Sequence, residues 1–216
     1  MATRVLLVRH GQSEWNEAGR WQGQADPPLT DLGRMQAQAA AASLGALDAI
    51  FASDLQRAAE TATIISQALG VGPVVLDPDL RERHAGEWSG LTRSEIDERY
   101  PGWLTPLGDR HDAFRPRSTI STGDGERRPP GWEPDPSVLA RAVAALTRID
   151  EAVGGGDVLA VTHGGLIYTL EHHLNAEVHR LANGEGRFIT VAGDELSLGD
   201  RVLLVDDTVV TRPNQI

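Results

Sequence analysis

Four consecutive apolar residues, Val5, Leu6, Leu7 and Val8, run directly into Arg9-His10-Gly11, and this junction constrains the fold more than any other stretch of the chain. The apolar run is too short for a helix and predicts a buried strand, after which the sequence turns abruptly polar. A guanidinium and an imidazole then emerge together at the carboxyl end of that strand. In α/β sheets ligands bind at that edge, because the loops there form a crevice that packed strands cannot fill. Gly11 permits a tight turn beside the histidine and is expected to leave its ring accessible. Alone, such a tripeptide more often holds a hydrogen-bonded structural histidine, so its meaning depends on the rest of the chain.

With 216 residues, 40% of them hydrophobic, the chain can bury one sizeable core. No linker divides it, so residues 1–216 are expected to form a single domain. Met1-Ala2-Thr3-Arg4 does not open a charged-then-apolar leader, and no apolar run approaches the ~20 residues of a membrane span. The expectation is a soluble, cytoplasmic protein with no membrane partner. Cysteine is absent, which excludes disulfides, thiolate metal sites and a cysteine nucleophile together. The formal net charge of −11 argues against a nucleic-acid partner, since phosphate backbones are attracted by a broad basic field. All 20 basic residues are arginine, a total that coding bias explains, so their positions carry the information.

Taken in order, residues 21–28 read as a loop, and Thr30 or Asp31 can cap an alanine-rich helix reaching about Leu44. Residues 47–52 read as a strand. Ser53-Asp54-Leu55-Gln56 fits a capping box with Ser53 as N-cap, opening a helix that Gly70 stops. Arg57 would lie in its first turn, where free N–H groups and the helix dipole already favour an anion. Residues 74–76 predict another strand, followed by a loop in which Glu82 faces away from Arg81 and Arg83. Thr92 and Glu95 suit a second capped helix, ended at Pro101.

Residues 101–136 lack a clear period and contain Arg110, Arg115, Arg117, Arg127 and Arg128. Such a stretch reads either as a lid-like insertion carrying substrate contacts or as a solvated loop. Helical spacing returns at Asp135-Pro136, with Leu139, Val143, Leu146 and Ile149 on one face and three glycines at the end. Residues 157–162 then repeat the opening layout. A buried strand ends in Thr162-His163-Gly164-Gly165 and leads into a helix over residues 166–174. Residues 188–191 and 202–205 read as sheet or hairpin.

Two strand-end histidines, a helix-start arginine, an arginine beside the first histidine and one loop glutamate suit phosphoryl transfer without a metal. That reaction needs a nucleophile in line with the leaving oxygen and positive groups on the equatorial oxygens. Arginine fits the second task, because its planar fork donates paired hydrogen bonds and stays charged.

The combined text Arg9-His10-Gly11-Gln12-Ser13-Glu14-Trp15-Asn16, Pro28-Leu29-Thr30, Ser53-Asp54-Leu55-Gln56-Arg57-Ala58, Leu80-Arg81-Glu82 and Thr162-His163-Gly164-Gly165 resembles the histidine phosphatase superfamily, the phosphoglycerate-mutase-like proteins. The pieces span most of the chain in order. The resemblance implies a three-layer α/β/α sandwich with a mainly parallel central sheet. It also implies that His10 is the nucleophile, its other ring nitrogen held by a backbone carbonyl, and that Arg9, Arg57 and His163 bind phosphoryl oxygens. Glu82 would protonate the leaving alcohol and then help activate water. Asn16, Gln22, Gly23 and Gly164 would complete the phosphate pocket. No cofactor or metal is called for.

Within the family, Glu82-Arg83-His84 and Arg93 resemble the mutase branch. Ala85, however, stands where those mutases usually carry tyrosine, and Gly165 where many carry asparagine. The expectation is therefore a phosphatase acting on phosphomonoesters of small metabolites, with a cofactor-dependent phosphoglycerate mutase as the alternative. A non-catalytic phosphate-binding module would have little need for both histidines and Glu82. A metal site at His172, His173 and His179 is disfavoured, because adjacent helical side chains diverge and no acidic partner has the usual spacing. His84 and His111 read as structural or exposed. The motifs serve monomers and homodimers alike.

Overall fold

The computed structural model describes residues 2–104, 121–122, 125–126 and 128–213. In chain order these form β1 (Thr3–Arg9), α1 (Glu14–Glu17), α2 (Asp31–Ser43), β2 (Ala49–Ala52), α3 (Gln56–Leu69), β3 (Val75–Leu76), α4 (Arg93–Arg99), β4 (Ser121–Thr122), β5 (Gly125–Glu126), α5 (Asp135–Val153), β6 (Gly156–Thr162), α6 (Gly164–His173), β7 (Glu185–Ala192) and β8 (Glu195–Leu203). Six strands build one sheet in the order β3-β2-β6-β1-β7-β8. The first four run parallel, while β7 and β8 close one side as an antiparallel pair.

Side-chain alternation divides the core between the two faces of this sheet. Val5, Leu7, Val158 and Ala160 pack with α5 and α6, whereas Leu6, Val8, Leu159 and Val161 pack with α2 and α3. The apolar runs of β1 and β6 are thus buried on both sides, as parallel strands in an α/β sandwich require. A smaller cluster of Trp88, Leu91 and Ile96, joined by Trp21, Tyr100 and Trp132, lies outside the two main layers. No helix among the described residues is long and apolar enough to cross a membrane.

Local signals set most boundaries. Thr30 caps α2 by accepting from the Gly33 amide, and Thr92 with Glu95 forms the expected reciprocal cap of α4. Gly70 and Gly154 end α3 and α5 in the left-handed conformation. Two starts differ from expectation. Helix α5 begins at Asp135 with Pro134 outside it, and Pro136 sits in the first turn. Helix α3 begins only at Gln56, with Leu55 as N-cap and no side-chain cap. Ser53 does not cap it because its hydroxyl, at the end of β2, is engaged with His163; the Gln56 amide instead donates to Asp26 Oδ1 at 2.7 Å.

Within residues 101–136, β4 and β5 pair as a short antiparallel hairpin where no regular element was expected. Arg110, His111, Arg115, Arg117 and Arg127 lie outside the described residues.

Candidate active site

The register of the sheet makes the site. In β1 and β6, Arg9 is the partner of Thr162, so the next residues, His10 and His163, stand side by side. Their ring centroids lie 5.0 Å apart in an edge-to-face arrangement. On the far side of β6, Ala52 of β2 pairs with Val161, which puts Ser53 opposite Thr162, one residue before the histidines and within reach of His163. Three neighbouring strands thus bring Ser53, His163 and His10 together at the carboxyl edge.

His10 is only 2% exposed, so its ring is enclosed, whereas the adjacent Gly11 predicts an accessible one. Gly11 serves a close approach instead: a Cβ there would lie 2.4 Å from the Gly33 carbonyl oxygen, so the turn rests on the first turn of α2. Its amide donates to Thr61 Oγ1 at 3.1 Å, tying the same turn to α3.

The hydrogen bonds of His10 settle its tautomer. Arg57 Nε lies 3.2 Å from His10 Nε2, and a guanidinium nitrogen can only donate, so Nε2 accepts and carries the lone pair. Nδ1 then holds the proton and donates to the Gly11 carbonyl at 2.6 Å. Burial first, and then the Arg57 and Arg9 charges, hold this imidazole well below its ordinary pKa. This environment favours the neutral ring, with its lone pair on Nε2.

Around it are buried cations. Arg57, in the first turn of α3, donates from Nη1 to the Ala25 carbonyl at 2.7 Å and from Nη2 to the Gly23 carbonyl at 2.9 Å. Gly23 has φ +53°, and a Cβ on it would lie 2.6 Å from the Ala85 amide, so this loop passes close to the chain beyond Glu82. Burial pushes the Arg57 guanidinium down to about 10, partly offset by Glu82 and Asp26. Arg9 is also lowered by burial, offset by Tyr168 and then Glu82. Its Nη1 donates to the Leu181 carbonyl at 3.0 Å, while its buried Nε has no hydrogen-bond partner. His163 Nδ1 is likewise buried without a partner. Arg9 Nε and His163 Nδ1 are thus buried with no protein group to bond, whereas buried polar atoms are nearly always hydrogen-bonded.

Glu82 lies at the start of α6. Its Oε2 accepts from the Gly165 amide at 3.1 Å and its Oε1 from the Arg83 amide at 2.8 Å. A Cβ on residue 165 would come within 2.3 Å of Oε1. Any side chain at residue 165 would therefore require the Glu82 carboxylate to shift from this position. Gly164, also buried, opens α6 directly after His163.

Asn16 and Gln22 are joined through Ser13. Asn16 Oδ1 accepts from the Ser13 amide at 3.3 Å, and Ser13 Oγ donates to Gln22 Oε1 at 2.7 Å. The residue that joins them to His10 is Asn183, whose Nδ2 donates to the His10 carbonyl at 2.8 Å and lies 3.4 Å from Asn16 Oδ1. Nothing in the local sequence marks Asn183, because its importance comes from the chain returning past β1. Ser53 had a signal, its place in the motif, but one that pointed to a helix cap.

Of the residues set aside, His172, His173 and His179 are exposed, as is His84. Among the described residues no group of three or more His, Cys, Asp or Glu could hold a metal ion. Arg83 is occupied with Thr169 Oγ1, the Glu133 carbonyl and Asp135.

Comparison with known proteins agrees with this geometry. The profile of the histidine phosphatase superfamily (branch 1) matches residues 5–186. A metal-independent phosphoserine phosphatase of Arabidopsis thaliana is 32% identical over 207 residues, covering 94% of this chain and 80% of that protein. A glucosyl-3-phosphoglycerate phosphatase of Mycobacterium tuberculosis is 40% identical over 179 residues, covering 78% and 74%. The native structure of a mycobacterial glucosyl-3-phosphoglycerate phosphatase superposes with a TM-score of 0.68 at 31% identity, covering 92% of this chain and 97% of that one. The chain belongs to the histidine phosphatase superfamily.

Proposed function

We propose that this protein is a metal-independent phosphatase that hydrolyses phosphomonoesters of small metabolites through a phosphohistidine at His10. The single observation that carries the reading is the tautomer of His10: a neutral ring with its lone pair on Nε2, enclosed by two buried guanidiniums. In the first step Nε2 attacks phosphorus, the N–P bond forms and the bond to the leaving oxygen breaks. Glu82 gives that oxygen a proton. In the second step water attacks phosphorus, Glu82 takes its proton, and the N–P bond breaks to release phosphate and the free imidazole. Arg9, Arg57 and His163 hold the equatorial oxygens throughout, a task worth several kcal/mol in a site closed to water. Asn16, Gln22, Gly23 and Gly164 shape and brace the pocket.

Phosphatase names among the relatives favour hydrolysis over transfer back to a second hydroxyl. The reading carries with it a small phosphorylated metabolite as partner, no nucleic acid and no membrane. It places the protein in the cytoplasm as a single domain, as a monomer or homodimer. The test is phosphate release from a panel including phosphoserine, glucosyl-3-phosphoglycerate, sugar phosphates and nucleotides, with a chelator present, for the native protein and His10→Ala. Selective release lost in the variant is the expected result. Interconversion of phosphoglycerates with little phosphate release would establish the mutase instead.

A further inference from the structure

The mechanism asks His163 to bind a phosphoryl oxygen, yet a neutral imidazole can donate from only one of its two nitrogens. Which nitrogen carries the proton therefore decides whether the ring attracts or repels the anion. Burial and then the Arg57 charge hold this imidazole well below its ordinary pKa, so the neutral ring is the one that counts in the free protein.

His163 Nε2 lies 2.9 Å from Ser53 Oγ. Both residues are fully buried. Ser53 Oγ also receives the Leu55 amide N–H at 3.3 Å, so one of its lone pairs is in use. Its own proton needs an acceptor, since a buried hydroxyl left unmatched costs the desolvation of that group. His163 Nε2 is the acceptor in reach. With Nε2 accepting, the ring proton must sit on Nδ1, the buried nitrogen that has no partner in the protein.

We propose that Ser53 is a positioning residue that sets the tautomer of His163, so that Nδ1–H points into the phosphate site as a donor. The inference rests on the reading of this site as a phosphoryl pocket. Ser53 reaches its place because β2 pairs with β6 through Ala52 and Val161, and its amide donates to the Val161 carbonyl at 2.9 Å. The two histidines are then matched: in His10 a backbone carbonyl and an arginine fix Nδ1–H, and in His163 a serine does so. One ring presents a lone pair to phosphorus and the other a proton to oxygen.

The test is nitrogen-15 NMR of histidine-labelled protein, with vanadate affinity and kinetics measured on Ser53→Ala and Ser53→Thr. In the native protein His163 should show a protonated Nδ1 and a bare Nε2. Ser53→Ala should give mixed or reversed tautomers, about tenfold weaker vanadate binding and at least a tenfold loss of kcat/KM, with melting temperature within a few degrees. Ser53→Thr, which keeps the hydroxyl, should restore the native tautomer and most of the affinity. A native His163 protonated on Nε2 would overturn the proposal, and this measurement needs no variant to fold. So would a Ser53→Ala protein with the native tautomer and vanadate affinity within twofold. Failure of the native protein to bind vanadate or release phosphate would sink the phosphatase reading instead, leaving the tautomer result to stand alone.

Discussion

Two of the places where the described residues bury charge do so in opposite ways. Behind α6, the carboxylate of Glu171 is fully buried and fully satisfied: Arg187 Nε and Arg201 Nε donate to its Oε1 at 2.8 and 2.7 Å, and Arg201 Nη2 to its Oε2 at 2.6 Å. At the carboxyl edge of β1 and β6, by contrast, two guanidiniums and two imidazoles are buried with Arg9 Nε and His163 Nδ1 unmatched. Charge buried to hold β7 and β8 against α6 is paired by the protein itself. Charge buried at the sheet edge is paired only in part, and its remaining capacity is what a phosphoryl group can use. Burial is therefore not what separates a structural charge from a functional one; completeness of pairing is.

The difference predicts which substitutions harm turnover and which harm folding. The largest effect is expected from Arg57→Ala, which removes a donor to the transition state and should lower kcat/KM by about 10²–10³-fold. Its melting temperature should also fall, because the fully buried side chain takes with it the bonds to the Ala25 and Gly23 carbonyls, so the loss of rate is read per folded molecule. Loss of folding without loss of rate in the folded fraction would break the comparison from this side. Glu171→Gln should do the reverse. Leaving Arg187 and Arg201 short of their counter-charge should cost about 3 kcal/mol of stability, read by denaturant titration. The kcat of the protein that remains folded should stay near native.

The smallest effect concerns pH. His10 and His163 are neutral in the fold, with pKa values pushed well below the ordinary 6.5 by burial first. The unfolded chain gains protons on these rings as pH falls through about 6.5, while the folded chain does not. The unfolded state then binds more protons, so stability declines with falling pH until the depressed folded values are reached. The slope should approach about 1.4 kcal/mol per pH unit for each histidine. Replacing either ring by glutamine should flatten it, and an unchanged slope in both variants would show that the rings are not held neutral.

Much of this site was legible before any coordinates. A short apolar run ending in a polar residue, histidine and glycine occurs twice, and parallel pairing of two such strands puts the histidines together. Arg57 was readable from its place at a helix start, whereas the part given to Glu82 came only through the family resemblance, and alternation did not foresee that Arg83 beside it is buried too. What could not be read was set by contacts between distant segments. Ser53 satisfies the local rule for a helix cap, yet the neighbouring strand offers its hydroxyl an imidazole, and Asp26 takes over the Gln56 amide. Asn183 touches the His10 carbonyl across a separation of 173 residues, which no periodicity encodes. The mutase-like text at Arg83 was misleading in a similar way, since that side chain is committed to Thr169, Glu133 and Asp135. Local spacing reports where the chain can present a group, and tertiary pairing decides what the group does.

The measurement that bears most directly on the central claim is rapid-quench trapping of protein-bound phosphate during turnover, followed by mapping of the modified residue. The account predicts an acid-labile, base-stable phosphoramidate on His10, formed and lost at rates that match turnover, and absent from His10→Ala. Turnover with no phosphate on the protein, or with phosphate on another residue while His10→Ala remains active, would contradict it.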